Sequence, residues 1–398
     1  MTTASATVSR WTRLFVVASL VWLVCWQGAV VAGAGRGVAV TLGLYGFVLH
    51  MVFGKAYALV PSYFDRSLAV PRAPALHLPL AVVGTAAIAA AAAGVVPTHW
   101  ATIGTGFWAL GCGLFVGILA WSVRDNITGR ETGTVDAKAD RRAVDRIANA
   151  FVPVALGYLL AAAFLPVLDV VGALPASLPA GGPPLSHLFA AGTAALLVFA
   201  IGFRLLPRFL VVSPRTPLVG TVLAAGAVGP LLLVSSFGAG WLFRLGASLE
   251  AVALVGFAVA YADMFGRSDR RRIGLYLLLG SSAAAVAVAV LGLHMAFTGL
   301  SLPVAEAHVR VALLGFLGLA VAGVSYQFYP PGIATVPGID DRTAALAGWL
   351  LVAGVAVESI GLLASVESAN LAGRWIALAG AVVHATVVFS VFWARSNR

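Results

Sequence analysis

Apolar positions along this chain come in long continuous runs, not in the strict alternation of half-buried strands. Twelve runs approach or exceed the roughly 20 residues that an α-helix needs to cross a bilayer. They lie near 12–34, 37–62, 77–96, 99–123, 149–173, 185–211, 216–236, 238–265, 273–299, 303–330, 342–365 and 373–395. The pattern predicts an all-α integral membrane protein with twelve transmembrane helices in a lipid bilayer. The first run is longer than a signal-peptide core, and no clear small-residue cleavage site follows a short apolar stretch. It is expected to remain as the first membrane helix.

Composition supports this class. Of the 398 residues, 61% are hydrophobic and only 10% are charged, against roughly 25% charged in soluble domains. The net charge of +10 does not point to nucleic acid, because the basic residues are scattered over short loops. Arg10 and Arg13, Arg66 and Arg72, Arg208 and Arg215, RSDRRR at 267–272, Arg342 and the Arg395/Arg398 tail fall on one side of the alternating spans. The loops of the other side are nearly free of basic residues. The contrast predicts a multi-pass protein of the cell (plasma) membrane with both termini in the cytoplasm. One long polar loop, 124–148, is expected to close with a short amphipathic helix from Asp136, as a solvated linker or a dock for a soluble partner. Cys25 and Cys112 form no metal spacing and report nothing on redox compartment.

The tenth run, HVRVALLGFLGLAVAGVSYQFYPP from residue 308, has close kin within the chain. His308 precedes Gly323 by the same interval that separates His187 from Gly202 in the sixth run. Gly54, Tyr57 and Pro61 in the second run keep the spacing of Gly323, Tyr326 and Pro330. Runs two, six and ten are four apart, which predicts three successive four-helix units, about 12–123, 149–265 and 273–395, in a pseudo-threefold arrangement. The prolines fall at the cytoplasmic ends, where a helix stops at little cost.

Twelve spans in three such units, with histidines in helices two, six and ten, resemble the catalytic subunit of heme–copper oxidases. The branch most similar is that of cbb3-type oxidases and nitric oxide reductases, whose tenth helix begins His-Val-His and ends in an aromatic pair before a proline. His308, Gly315, Gly318, Gly323, Tyr326 and Pro330 match that pattern. The resemblance implies that His308 is an axial ligand of heme b and that His187 is one copper ligand. It also marks departures. The family's second histidine in helix ten, which holds a low-spin heme, is Arg310 here. No histidine stands near 39–41, and TPLVGTVLAAGAVGPLLLVSSF lacks the histidine pair that completes the copper site. NnrS-like membrane proteins, reduced relatives linked to nitric oxide tolerance, are similar in architecture.

Ionisable groups inside membrane helices are costly, so each is a candidate for function. His308 reads as a metal ligand or as a hydrogen-bonded interfacial histidine, and His187 likewise. Arg310 could meet heme propionates, snorkel outward, or pair with Glu306 one turn back. His50 and His384, both mid-helix, are candidates for cofactor binding, His294 a weaker one; His77 and His99 sit at span ends and read as interfacial. Lys55 suits snorkelling or a proton path. Arg244 and Glu250 require partners on other helices, with Glu358 an available one. These residues lead us to expect a heme-binding protein of nitric oxide handling or respiratory electron transfer, an oxidoreductase if it is an enzyme, and not an ordinary oxygen-reducing oxidase. The alternatives are a non-catalytic assembly factor or structural partner of respiratory or electron-transfer subunits, or a secondary transporter.

Overall fold

A computed structural model describes residues 3–129, 131–132, 141–334 and 336–396. It is all-α, with no strand among the described residues. Twelve helices are long and apolar enough to cross a membrane. In chain order they are α1 (Ser5–Val31), α2 (Arg36–Tyr63), α3 (Pro74–Ala92), α4 (His99–Asn126), α5 (Arg142–Val170), α6 (Gly182–Leu210), α7 (Thr216–Ser235), α8 (Gly240–Arg267), α9 (Ile273–Thr298), α10 (Leu302–Ile333), α11 (Asp341–Leu363) and α12 (Glu367–Arg395). A helix satisfies its backbone N–H and C=O groups internally, which is what permits it to span lipid. Prolines in the first turn of α3, α6, α7 and α10 stand where no intrahelical donor is needed.

Three helices form the centre. The most apolar windows of α2 and α6 are each 72% buried and that of α10 is 67% buried, above every other span. The remaining nine run around them in the order α1, α3, α4, α5, α7, α8, α9, α11 and α12, and α12 closes the ring against α1. Neighbour relations recur every four helices: α1 packs on α2 as α5 does on α6 and α9 on α10. The glycines that the sequence aligns are close-approach points. A Cβ on Gly54 would stand 2.7 Å from Phe15, on Gly202 3.2 Å from Phe257, and on Gly323 2.6 Å from the Gly274 carbonyl oxygen. Small residues let helices approach where lipid provides no hydrophobic drive.

Each central helix widens into a π-helical stretch, at Thr41–Leu49, Leu188–Ala195 and Val311–Gly318. These three stretches touch one another at the middle of the bundle. Such insertions of one residue re-aim the side chains on either side of them.

Some expected boundaries shift. α5 begins at Arg142, not near 149, and Asp145 and Asn149 are buried in its first turns. They are held there by Arg204 of α6, whose Nη2 lies 3.1 Å from Asp145 Oδ2 and whose Nη1 donates to the Tyr63 carbonyl at 2.8 Å. Part of the amphipathic helix expected from Asp136 lies outside the described residues; from Arg142 onward that segment belongs to α5 itself. Pro61 and Pro207 do not end their helices but sit inside the last turns of α2 and α6.

Candidate functional site

The initial turns of α2, α6 and α10 meet the ends of α7 and α9 and the start of α8 around a cavity of ≈ 570 Å³. That volume falls in the range of roughly 300–1,000 Å³ of small-molecule and cofactor sites. Its wall is largely alanine, leucine, valine and phenylalanine, with His187, His308, Arg36, Arg244, Ser186 and Glu250 as the polar exceptions.

His187 ends the first turns of α6 and is immediately followed by the π-helical stretch. Its Nδ1 lies 2.8 Å from the Pro183 carbonyl oxygen, which as acceptor fixes the proton on Nδ1 and leaves Nε2 as the nitrogen with a lone pair. His308 stands three residues before the π-helical stretch of α10. Its ring packs beside Gly292 of α9, where a Cβ would lie 3.4 Å from Cε1, and its buried Nδ1 has no hydrogen-bond partner. The two imidazole centres are 6.3 Å apart, with ring planes inclined by only 19°. Phe237 covers the outer face of the pair, 5.2 Å from His187 centre to centre.

Two cations flank the cavity. Arg36, first residue of α2, is tied to Glu306 of α10 by contacts of 2.8 and 2.9 Å. Arg244 has no ion pair among the described residues and lies 5.8 Å from the Phe297 ring centre. Glu250 is buried in the wall with Oε1 unpartnered, beside Gly229. Neither Glu250 nor Arg244 meets Glu358, the partner that the sequence offered.

Arg310 faces away from the cavity. Two residues along an α-helix turn through about 200°, so it emerges opposite His308. There Nε donates to Glu358 of α11 at 2.8 Å and Nη2 to Gln27 of α1 at 2.8 Å, with the Trp26 ring 4.9 Å from the guanidinium carbon. Arg374 of α12 approaches the second Glu358 oxygen at 3.4 Å. The expected Arg310–Glu306 pair does not form, because Glu306 is taken by Arg36. The space that the resemblance assigns to a low-spin heme is thus crossed by an ion pair.

The remaining histidines do not join the pair. His50 is fully buried among Phe15, Phe53 and Trp108, with Nδ1 2.8 Å from the Tyr45 carbonyl oxygen. His77 is not interfacial as expected: it is fully buried, 3.1 Å from the Tyr57 hydroxyl. His384 lies 2.8 Å from the Tyr326 hydroxyl, so the aromatic residue of the tenth-helix motif is anchored to α12. His99 and His294 are exposed. Lys55 donates to the Tyr329 hydroxyl at 2.7 Å, with its ammonium 4.2 Å from the Phe328 ring centre. Among the described residues no three His, Cys, Asp or Glu side chains gather as a metal site.

The sequence reading passed over Arg36 and Arg374. Both were visible as the arginines that break the otherwise neutral loops AGAGRG and ESANLAGR, and both are held by buried or half-buried glutamates. No protein-family model and no curated protein sequence matches the chain.

Proposed function

We propose that the protein is a multi-pass membrane protein that binds heme b in the cavity at the head of α2, α6 and α10, with His308 as an axial ligand. The observation that carries this reading is the cavity itself: a mostly apolar space of ≈ 570 Å³ with two imidazoles on its wall and two arginines beside them. An apolar macrocycle with acidic substituents matches such a wall. Arg36 and Arg244 are the groups available to its carboxylates, since guanidinium binds carboxylates in a fork. Arg310 has no part in it, being spent on Glu358. Copper lacks a comparable set of ligands, as His187 has neither a Cys nor an acidic side chain gathered with it beyond His308. Bound there, heme supplies an iron able to exchange an electron or to meet a small gas such as nitric oxide. The chain's own residues orient the imidazoles, screen them from bulk water and balance charge at the mouth.

The arginine-rich loops place both termini in the cytoplasm of a plasma-membrane protein, so the cavity opens on the opposite face. Partners among respiratory or electron-transfer subunits accord with this role.

The test is direct. The protein purified in detergent should show a Soret band that shifts on reduction with dithionite and should carry stoichiometric iron. In His308→Ala the band should be lost or displaced while the helical content is unchanged. A well-folded wild-type protein with no iron and no Soret band, even after heme is added, overturns the reading.

A further inference from the structure

We propose that His187 and His308 bind the opposite faces of one metal ion, the iron of a single heme, and do not serve two separate metals. The inference rests on the heme reading above and assigns His187 a role that the family resemblance does not give it.

The separation of the two rings decides between one metal and two. An imidazole nitrogen binds a first-row metal at about 2.0–2.1 Å, which puts the metal about 3.2 Å from the ring centre, so two trans imidazoles on one ion stand about 6.4 Å apart. Two metals about 3.5–4 Å apart, each with one of the imidazoles in line, require about 10 Å. The observed separation is 6.3 Å. It matches one ion in an axial arrangement and leaves too little length for iron and copper in series. The small inclination of 19° between the planes is open to trans ligands, because rotation about the metal–nitrogen axis leaves both bonds intact.

Supporting groups fit the same role. The bond from His187 Nδ1 to Pro183 is the outer contact that holds a ligating histidine in one tautomer and one orientation. Pro183 lies in the first turn of α6, so the acceptor is part of a rigid element. His308 is set by the flat surface that Gly292 presents. Both rings stay half-buried beside the cavity instead of packing into the core. An iron with both axial positions filled suits electron transfer, and a gas reaches it only when one imidazole lets go.

The experiment is a spectroscopic count of ligands on the full-length protein in detergent, reconstituted with heme where needed. Wild type should give a low-spin, six-coordinate spectrum in the oxidised and reduced states, one iron per chain, and no stoichiometric copper. His187→Gly should keep heme and change to a high-spin, five-coordinate spectrum, and free imidazole should restore the low-spin form. If heme is bound but the wild-type iron is already five-coordinate, or if His187→Gly leaves the spectrum unchanged, the shared-metal proposal fails while the heme reading stands. If the wild type takes up no heme, both fall together. Because the wild-type spin state is itself decisive, a variant that does not fold leaves the outcome determined.

Discussion

Arg310 and Glu358 are 6% and 1% exposed at their side chains, and a buried ion pair gains little over an apolar pair yet is expensive to break on one side. Arg310→Met should therefore cost about 3–5 kcal/mol, because Glu358 keeps a buried charge with only the half-exposed Arg374 beside it. The double variant Arg310→Met with Glu358→Leu should recover most of that loss, since Arg374 can reach water. Denaturant midpoints in micelles measure both, and the heme spectrum of the double variant should equal that of wild type because neither residue lines the cavity. A double variant as unstable as the single one defeats this account. The sequence made the pair hard to see. His308 and Arg310 are two apart and look like one site, but helical geometry sends them to opposite sides, and Arg310's partner lies forty-eight residues on. What could have been read is the anomaly of Arg36 and Arg374. Each is a cation in a loop from which cations are otherwise absent, and each is retained by an acid on a neighbouring helix.

At the level of elements, twelve spans were legible because lipid demands continuous apolar runs, and a run of that length has few other uses. The starts were less legible. The stretch RRAVDRIANA reads as polar loop, yet Asp145 and Asn149 are buried because Arg204, sixty residues later, supplies the charge and donors that they need. The π-helical stretches leave no trace in hydropathy, since widening by one residue alters direction and not composition. That widening aims His187: deleting Ala191 should return α6 to a regular helix, rotate His187 by about 100° against the well-packed inner half, and abolish heme binding with little change in helical content. Removing Leu178 from the loop before α6 is the control and should keep the spectrum. At the opposite end of the bundle, Asp340 caps α11 by accepting from the Thr343 and Arg342 amides. The Thr343 amide first, then that of Arg342, holds its carboxyl below the usual carboxylate range. A depressed folded-state pKa contributes stability that is complete above the ordinary value near 3.9 and is lost as pH falls through the folded value. Asp340→Ala should lower the thermal midpoint slightly at neutral pH, and the difference from wild type should vanish in acid.

For the whole molecule, nine helices closed around three leave a space only where the central helices begin, because their inner halves converge at the π-helical stretches while their heads are held apart by the Arg36–Glu306 pair and the imidazoles. The cavity is then a one-sided vestibule, and the charge of the loops says which side: the basic loops belong to the far end. Ser186 lies on the vestibule wall and is half-buried, so a thiol there reports access. Ser186→Cys in intact cells should react with a membrane-impermeant maleimide added outside. The wild type should not, because Cys112 is buried and Cys25 sits within the membrane span of α1. Labelling should fall sharply when the purified variant is loaded with heme, since the macrocycle would occupy the same space. Labelling only after the cells are opened would reverse the orientation, and labelling unaffected by bound heme would move the heme out of this cavity. Orientation and occupancy are thus read from one cysteine, the first by where the reagent stands and the second by what blocks it.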